Sequence, residues 1–277
     1  MKIGVSSYSF TKYTAATGCD RLALCDKAKE IGFDGIEFTD LNVEDPIALA
    51  RELRAHCEEI GLEITAYAIG ANFLCEDPEA EVARVCREVD VCEALGAGLM
   101  RHDVCYALPK KHLFSWRDAA DFIAPYIRRV TEYAAAKGIR TCTENHGYIF
   151  QDPARVEALI LKVGHPNYGW LCDMGNFMCA DADPVKAVTT AAPYAFHVHA
   201  KDFLYKAGGE QPDGFFPTAG KNWLRGTALG HGVVPVDQCI RILKGAGYEG
   251  WLSLEFEGME DCIPAIETGF RYLKKHA

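Results

Sequence analysis

Five helix-like stretches of this chain break on a glycine that leads into an apolar, strand-like run. They end at Glu30-Ile-Gly32, Glu59-Ile-Gly61, Ala94-Leu-Gly96, Ala136-Lys-Gly138 and Gly245-Ala-Gly247. Glycine is the residue that tolerates the left-handed backbone just past a helix end. Asp45-Pro46 and Asp183-Pro184 give the complementary start signal, an N-cap followed by proline at the first helical position. Between these marks, strands are predicted near 3–10, 34–39, 63–69, 98–104, 140–146, 168–173, 195–201 and 251–257, with a last helix at about 261–276. Strict alternation of strand and helix implies a parallel sheet. Eight such units in 277 residues favour closure into one α/β domain, a (β/α)8 barrel over residues 1–277, with one long βα loop at about 203–234.

If the strands run parallel, their carboxyl ends meet on one rim, and four of them end on metal-ligand types. These are Arg140-Thr-Cys-Thr-Glu144-Asn-His146, Tyr168-Gly-Trp-Leu-Cys-Asp173, Ala195-Phe-His197-Val-His199-Ala-Lys201-Asp202 and Gly250-Trp-Leu-Ser-Leu-Glu255-Phe-Glu257. Side chains alternate faces along a strand. Leu252, Leu254 and Phe256 then suit the helix side, and Ser253, Glu255 and Glu257 the barrel interior. His197 and His199 share the inner face, as do Glu144 and His146. Glu144, Asp173, His199 and Glu255 are thereby candidate ligands for one divalent ion. Three carboxylates with one imidazole suit Mn²⁺ first, with Mg²⁺, Co²⁺ or Zn²⁺ also accommodated.

Composition narrows the functional classes. The net charge of −10 and the lack of a basic stripe argue against a nucleic-acid partner. No apolar run reaches the ~20 residues that span a bilayer. The twelve cysteines are scattered singly, as expected of free thiols in a reducing cytoplasm rather than of a disulfide framework. Met1-Lys2 leads into the first strand without a hydrophobic leader, which also points to the cytoplasm.

Around the predicted ion, His146 is a candidate general acid or base beside Glu144 and Glu255, because imidazole titrates near neutrality. His197, one inward position deeper than His199, reads as a hydrogen-bonded core histidine. Arg101 and His102 at the end of strand four, and Lys201 beyond His199, are candidate substrate contacts. The 203–234 loop is longer than ordinary βα connections. It is expected to cover the barrel mouth as a lid, with Trp223 as an apolar wall and Arg225 and His231 as polar contacts to an oxygen-rich substrate.

These segments, with Ile3-Gly-Val-Ser-Ser-Tyr, Gly35-Ile-Glu37, Cys172-Asp173-Met-Gly-Asn176, Leu229-Gly-His-Gly and Gly247-Tyr-Glu-Gly-Trp-Leu-Ser-Leu-Glu255, resemble the sugar phosphate isomerase/epimerase family of xylose-isomerase-like TIM barrels along essentially the whole chain. The resemblance implies a metal-dependent isomerase or epimerase acting on a sugar, keto-sugar or inosose. It implies Glu144, Asp173, His199 and Glu255 as ligands, and proton abstraction beside a carbonyl through an enediolate, exchanged between Glu144 and Glu255. The chain departs from the ketose 3-epimerase pattern at Asn176, where that subgroup carries His, and at Lys201, where it carries Glu. Its His199-Ala-Lys201-Asp202 form looks more like the inosose isomerase/dehydratase branch. A 3-keto-glycoside lyase resembling the C-glycoside deglycosidases, which work with a small partner subunit, fits the Glu144-x-His146 pair as well. A non-catalytic sugar-binding barrel, a metal-dependent hydrolase and a homo-oligomer stay open.

Overall fold

The computed structural model describes residues 1–277. Eight parallel strands close into a barrel: β1 Lys2–Ser6, β2 Gly35–Thr39, β3 Glu63–Ile69, β4 Leu99–His102, β5 Arg140–Glu144, β6 Tyr168–Asp173, β7 Ala195–Ala200 and, last in the chain, β11 Trp251–Leu254. β11 lies between β7 and β1, which completes the ring. Helices α1 Thr11–Thr17, α2 Arg21–Ile31, α3 Pro46–Ile60, α4 Pro78–Leu95, α5 Trp116–Ala136, α6 Pro153–Val163, α7 Pro184–Ala191, α8 Val236–Gly245 and α9 Cys262–His276 form the outer layer. None is long and apolar enough to cross a membrane.

The local chemistry sets the boundaries. α3, α4, α6 and α7 each begin Asp-Pro, and the aspartates at 45, 77, 152 and 183 accept from first-turn backbone N–H groups. Gly32, Gly61 and Gly96 close α2, α3 and α4 with φ of 110°, 67° and 74°, a region where a side chain would be strained. The main core of 66 buried residues contains Val5, Ile36, Met100, Trp170, Val198, Leu252 and Leu254 from the strands, packed with the apolar faces of the helices. Inside the barrel, Ala66, Leu99, Cys142 and Leu171 form a small apolar plug. Two residues further along the same strands come Ala68, Arg101, Glu144 and Asp173. The period of two therefore carries the inner face from plug to polar mouth.

Three expectations are corrected. The first strand stops at Ser6 rather than at residue 10; Ser7–Phe10 is a 3₁₀ turn followed by α1. The last barrel strand stops at Leu254 rather than at residue 257. Its continuation is tied differently, with Glu255 N–H donating to Ala200 O and Phe256 N–H to Ser9 Oγ. The 203–234 segment is not an irregular loop. It holds an antiparallel sheet of β8 Asp202–Lys206, β9 Phe216–Pro217 and β10 Trp223–Thr227, with β10 central.

Asp202 anchors that sheet to the barrel. Its carboxylate, 1% exposed, accepts the backbone N–H groups of Phe203, Gly230, Gly232 and Val234. Asp202→Ala would leave these donors without an acceptor in a space too tight for much rearrangement, since a Cβ on Gly232 would already meet Phe203 O at 2.3 Å. The expected cost is about 3 kcal/mol, a loss on the order of 6–12 °C in Tm. New proteolytic cleavage between residues 203 and 234 should accompany it. A variant with the wild-type melting curve and digestion pattern would contradict this anchoring role.

Candidate metal centre and catalytic site

Register brings the four candidate ligands together. Asp173 on β6 pairs with His199 on β7, which pairs with Ser253 on β11; Glu144 ends β5 and Glu255 follows β11. Ligand atoms of Glu144, Asp173, His199 and Glu255 all lie within 4.8 Å of one another. His199 Nδ1 stands 3.5 Å from Glu255 and 3.8 Å from both Glu144 and Asp173. Divalent ions hold such donors at about 2.0–2.2 Å, so donors around one ion lie at most ~4.4 Å apart. The separations from His199 Nδ1 fall inside that limit. His199 Nδ1 and Asp173 Oδ2 are buried without a hydrogen-bond partner, as expected of atoms that need a further ligand. The donor set and these two atoms fit one divalent ion.

Glu37 on β2, not singled out as a site residue in the sequence, fixes His199. Both its oxygens lie 3.0 Å from His199 Nε2, which leaves Nδ1 facing the three carboxylates. A carboxylate behind a ligating imidazole sets its tautomer and orientation. His197 Nε2 is also 3.0 Å from Glu37, and the ring is fully buried. His197 is a core residue, and burial lowers its pKa.

Two cations balance the carboxylates. Arg101, buried on β4, contacts Glu144 and Asp103 at 2.8 Å each and donates to Ile69 O. Lys201 Nζ lies 2.5 Å from Glu255, 3.3 Å from Asp173 and 3.5 Å from Glu257. Asn176 donates to Glu144 Oε1 and accepts from Lys201. Burial pushes the Glu144 carboxyl up, but Arg101 and His199 outweigh it and hold the pKa below the usual range. Burial acts likewise on Glu255, where Lys201 and His199 win and the pKa falls well below normal. Asp173 goes the other way, to about 7, because burial and the charges of Glu144 and Glu255 exceed the pull of Lys201. The carboxylates of residues 37, 103, 144, 173, 255 and 257 outnumber the two cations Arg101 and Lys201 around them, a setting that favours a bound cation.

The cluster opens into a cavity of about 350 Å³, whose lining includes Tyr8, Asp40, Arg101, His146, Lys201 and Glu257. His146 stands half-exposed at its edge, with Nδ1 3.0 Å from Asp103. Burial alone would lower its pKa, but the Asp103 carboxylate reverses the shift and raises it. Asp103 and Glu257 were not chosen from the sequence; Glu257 shares the inward parity of Glu255.

The structure keeps four predicted substrate contacts away from this cavity. His102 is fully buried against Phe73 and Tyr168, with Nδ1 2.8 Å from Asp103 O, and burial drives its pKa down to about 4. Trp223 donates from Nε1 to Gly208 and Gly209 carbonyls. Arg225 lies over the Phe215 ring, 5.3 Å from its centroid. His231 is exposed on the turn that follows β10. The 203–234 segment instead presents Phe216 beside the site, in an adjoining cavity that also touches His146, Lys201 and Glu257.

The chain matches the xylose isomerase-like TIM barrel family over residues 25–276 and belongs to it. It is 25% identical over 252 residues to a probable ketose 3-epimerase of Synechocystis sp., covering 84% of this chain and 77% of that protein. It is 26% identical over 170 residues to an inosose dehydratase of Geobacillus thermodenitrificans, covering 60% of this chain and 55% of that one. Among solved structures, the IOLI protein with a bound zinc atom shares the fold at a TM-score of 0.78, with 16% identity, over 100% of this chain and 99% of that chain.

Proposed function

We propose that the protein is a divalent-metal-dependent isomerase or epimerase of a keto-sugar or inosose, working by proton abstraction beside a carbonyl. The observation that carries this reading is the convergence of Glu144, Asp173, His199 and Glu255 at the base of an open polar cavity, with His199 Nδ1 buried and not hydrogen-bonded and Asp173 Oδ2 facing the Lys201 ammonium. These four residues would hold the ion, with Mn²⁺ the best match to a carboxylate-rich set. When bound, it would polarise a substrate carbonyl and stabilise negative charge on that oxygen. Lys201 and Arg101 hold Glu255 and Glu144 deprotonated at neutral pH, the form a general base requires. Lys201 Nζ and the Glu257 carboxylate, both on the cavity wall, would orient substrate hydroxyls.

A second reading is favoured by the Asp103–His146 pair. An imidazole at the cavity edge whose pKa a neighbouring carboxylate raises is placed to give a proton to a departing group. The same proton abstraction would then end in elimination, as in a dehydratase or a 3-keto-glycoside lyase. The relatedness to both a probable epimerase and an inosose dehydratase supports either outcome.

The test is hydrogen exchange. Metal-stripped protein reloaded with Mn²⁺ and given keto-sugars or inososes in D₂O should place deuterium on the carbon beside the carbonyl, seen by NMR, and chelation should stop the uptake. No uptake with Mn²⁺, Mg²⁺, Co²⁺ or Zn²⁺ would overturn the proton-abstraction class. Uptake without product inversion but with loss of water or an attached group would select the lyase reading.

A further inference from the structure

Away from the barrel mouth, two cysteines stand against one another in the outer layer. Cys25 on α2 and Cys57 on α3 are both buried, and Cys57 S–H donates to Cys25 Sγ at 3.5 Å. Cys25 S–H in turn donates at 3.2 Å to Arg21 O, one turn back on its own helix. All twelve cysteines are free thiols, and this is the one hydrogen bond that joins two of them.

The helices hold the two thiols in place. Next to them in sequence, His56 Nε2 lies 2.8 Å from Asp26 Oδ1, a second side-chain contact that clips α2 to α3. One turn further along α2, Lys29 Nζ donates to Gly61 O just past α3. Closing the sulfurs from 3.5 Å to the ~2.05 Å of a disulfide is therefore a motion of side chains rather than of whole helices. Cys57 also has a route to solvent. It is 1% exposed, yet it forms part of the wall of a surface cavity of about 480 Å³, together with Arg54, Glu58, Leu62 and Leu95. Hydrogen peroxide is little larger than water, and a cavity of that size admits many such molecules. Once Cys57 gives up its proton, Cys25 S–H can donate to the thiolate, which holds the Cys57 pKa below the usual thiol range despite burial. The thiolate is the nucleophilic form.

We propose that Cys25 and Cys57 are a peroxide-responsive pair that joins into a reversible disulfide between α2 and α3. The Cys57 thiolate attacks one oxygen of hydrogen peroxide; the O–O bond breaks, hydroxide leaves, and Cys57 becomes a sulfenic acid. The Cys25 sulfur then attacks the Cys57 sulfur; the S–O bond breaks, and the sulfenic hydroxyl leaves as water with the Cys25 proton. The two thiols together lose two electrons, which reduce the peroxide. The new bond closes a loop between positions 32 apart that contains β2 and its Glu37. Such a cross-link removes freedom from the unfolded chain and so stabilises the fold. Thiol exchange in a reducing compartment reverses it. The pair is thus a staple set under oxidation, and it does not depend on the reaction proposed above.

The test treats the intact protein with hydrogen peroxide, unfolds it in N-ethylmaleimide to block the remaining thiols, and maps cross-linked peptides by mass spectrometry without reduction. Trypsin with a glutamate-specific protease separates Cys57 from Cys75. The expected product is a Cys25–Cys57 link that dithiothreitol removes, with a Tm rise of about 6 °C that the same reductant abolishes. In Cys25→Ala the second thiol is gone, so Cys57 should be trapped as a dimedone adduct. Cys57→Ala should show no oxidation at residue 25. The wild-type map stands whether or not either variant folds. Peroxide that leaves both residues open to the maleimide, or that oxidises either in the wild type without joining it to the other, overturns the proposal. A link that forms without raising Tm overturns the staple.

Discussion

Glu255→Gln is expected to weaken divalent-metal affinity by about 100-fold or more and to lower substrate hydrogen exchange by roughly 10³-fold. Two roles converge on this carboxylate. It is one of three anionic donors facing His199 Nδ1, at 3.5 Å, and it is a deprotonated group at the cavity wall able to accept a proton. Glutamine keeps the shape and removes the charge. Lys201 would lose its 2.5 Å partner and retain Asp173 at 3.3 Å and Glu257 at 3.5 Å, so its ammonium stays compensated and the fold should survive. Calorimetric metal titration and NMR deuterium uptake separate the roles. Weak metal binding with exchange restored at saturating metal marks a ligand that is not the base. Normal binding with exchange abolished marks a base that is not a ligand. Wild-type values in both measurements would remove Glu255 from the site.

The parts of this site legible in the sequence were those governed by strand periodicity. Glu144, Asp173 and His199 lie at or next to the ends of strands whose inner face is set two residues earlier by Cys142, Leu171 and His197, and the structure brings them together with Glu255. The same rule already spoke against His102. Arg101 and His102 are adjacent on β4, so only one can face the cavity, and the arginine does. Glu37 was within reach of the rule too, since it lies on β2, but a carboxylate that buttresses a ligand has no pattern of its own in one sequence. Asp103 was hidden for a different reason. It shares a face with Arg101 two residues back, but its other partner, His146, is joined to it through space across the ends of β4 and β5, and no local spacing encodes that.

The inserted segment shows where periodicity stops being informative. Trp223 and Arg225 were assigned to the mouth because they lie on a long connection. They belong instead to β10, which pairs with β8 and β9, and their side chains engage Gly208, Gly209, Phe215 and Met259. Asp181, between β6 and α7, holds the segment down by accepting from Thr218, Gly220 and Asn222. Those anchors, together with the hydrogen bond from the Tyr148 hydroxyl to Pro217 O, decide that Phe216 rather than Trp223 reaches the site. They are tertiary contacts between distant parts of the chain.

Glu37→Gln should lower metal affinity by about 10- to 100-fold without touching a ligand. In the native arrangement both Glu37 oxygens face His199 Nε2 at 3.0 Å, and an acceptor there requires Nε2 to carry the proton. Nδ1 is then the lone-pair nitrogen, and it points at Glu144, Asp173 and Glu255. Glutamine offers one oxygen and one NH₂ in the same place. If the NH₂ faces Nε2, the favoured tautomer moves its proton to Nδ1, the atom that must bind metal. If the oxygen faces Nε2, the NH₂ turns toward His197 and disturbs that buried ring instead. Either way a fully buried group loses a matched partner, for about 2 kcal/mol of stability, on the order of 4–8 °C in Tm at this chain length. Because no proposed base is altered, saturating metal should restore most of the hydrogen exchange, which distinguishes this variant from Glu255→Gln. A Glu37→Gln protein that binds metal as tightly as the wild type would show that the carboxylate does not position His199.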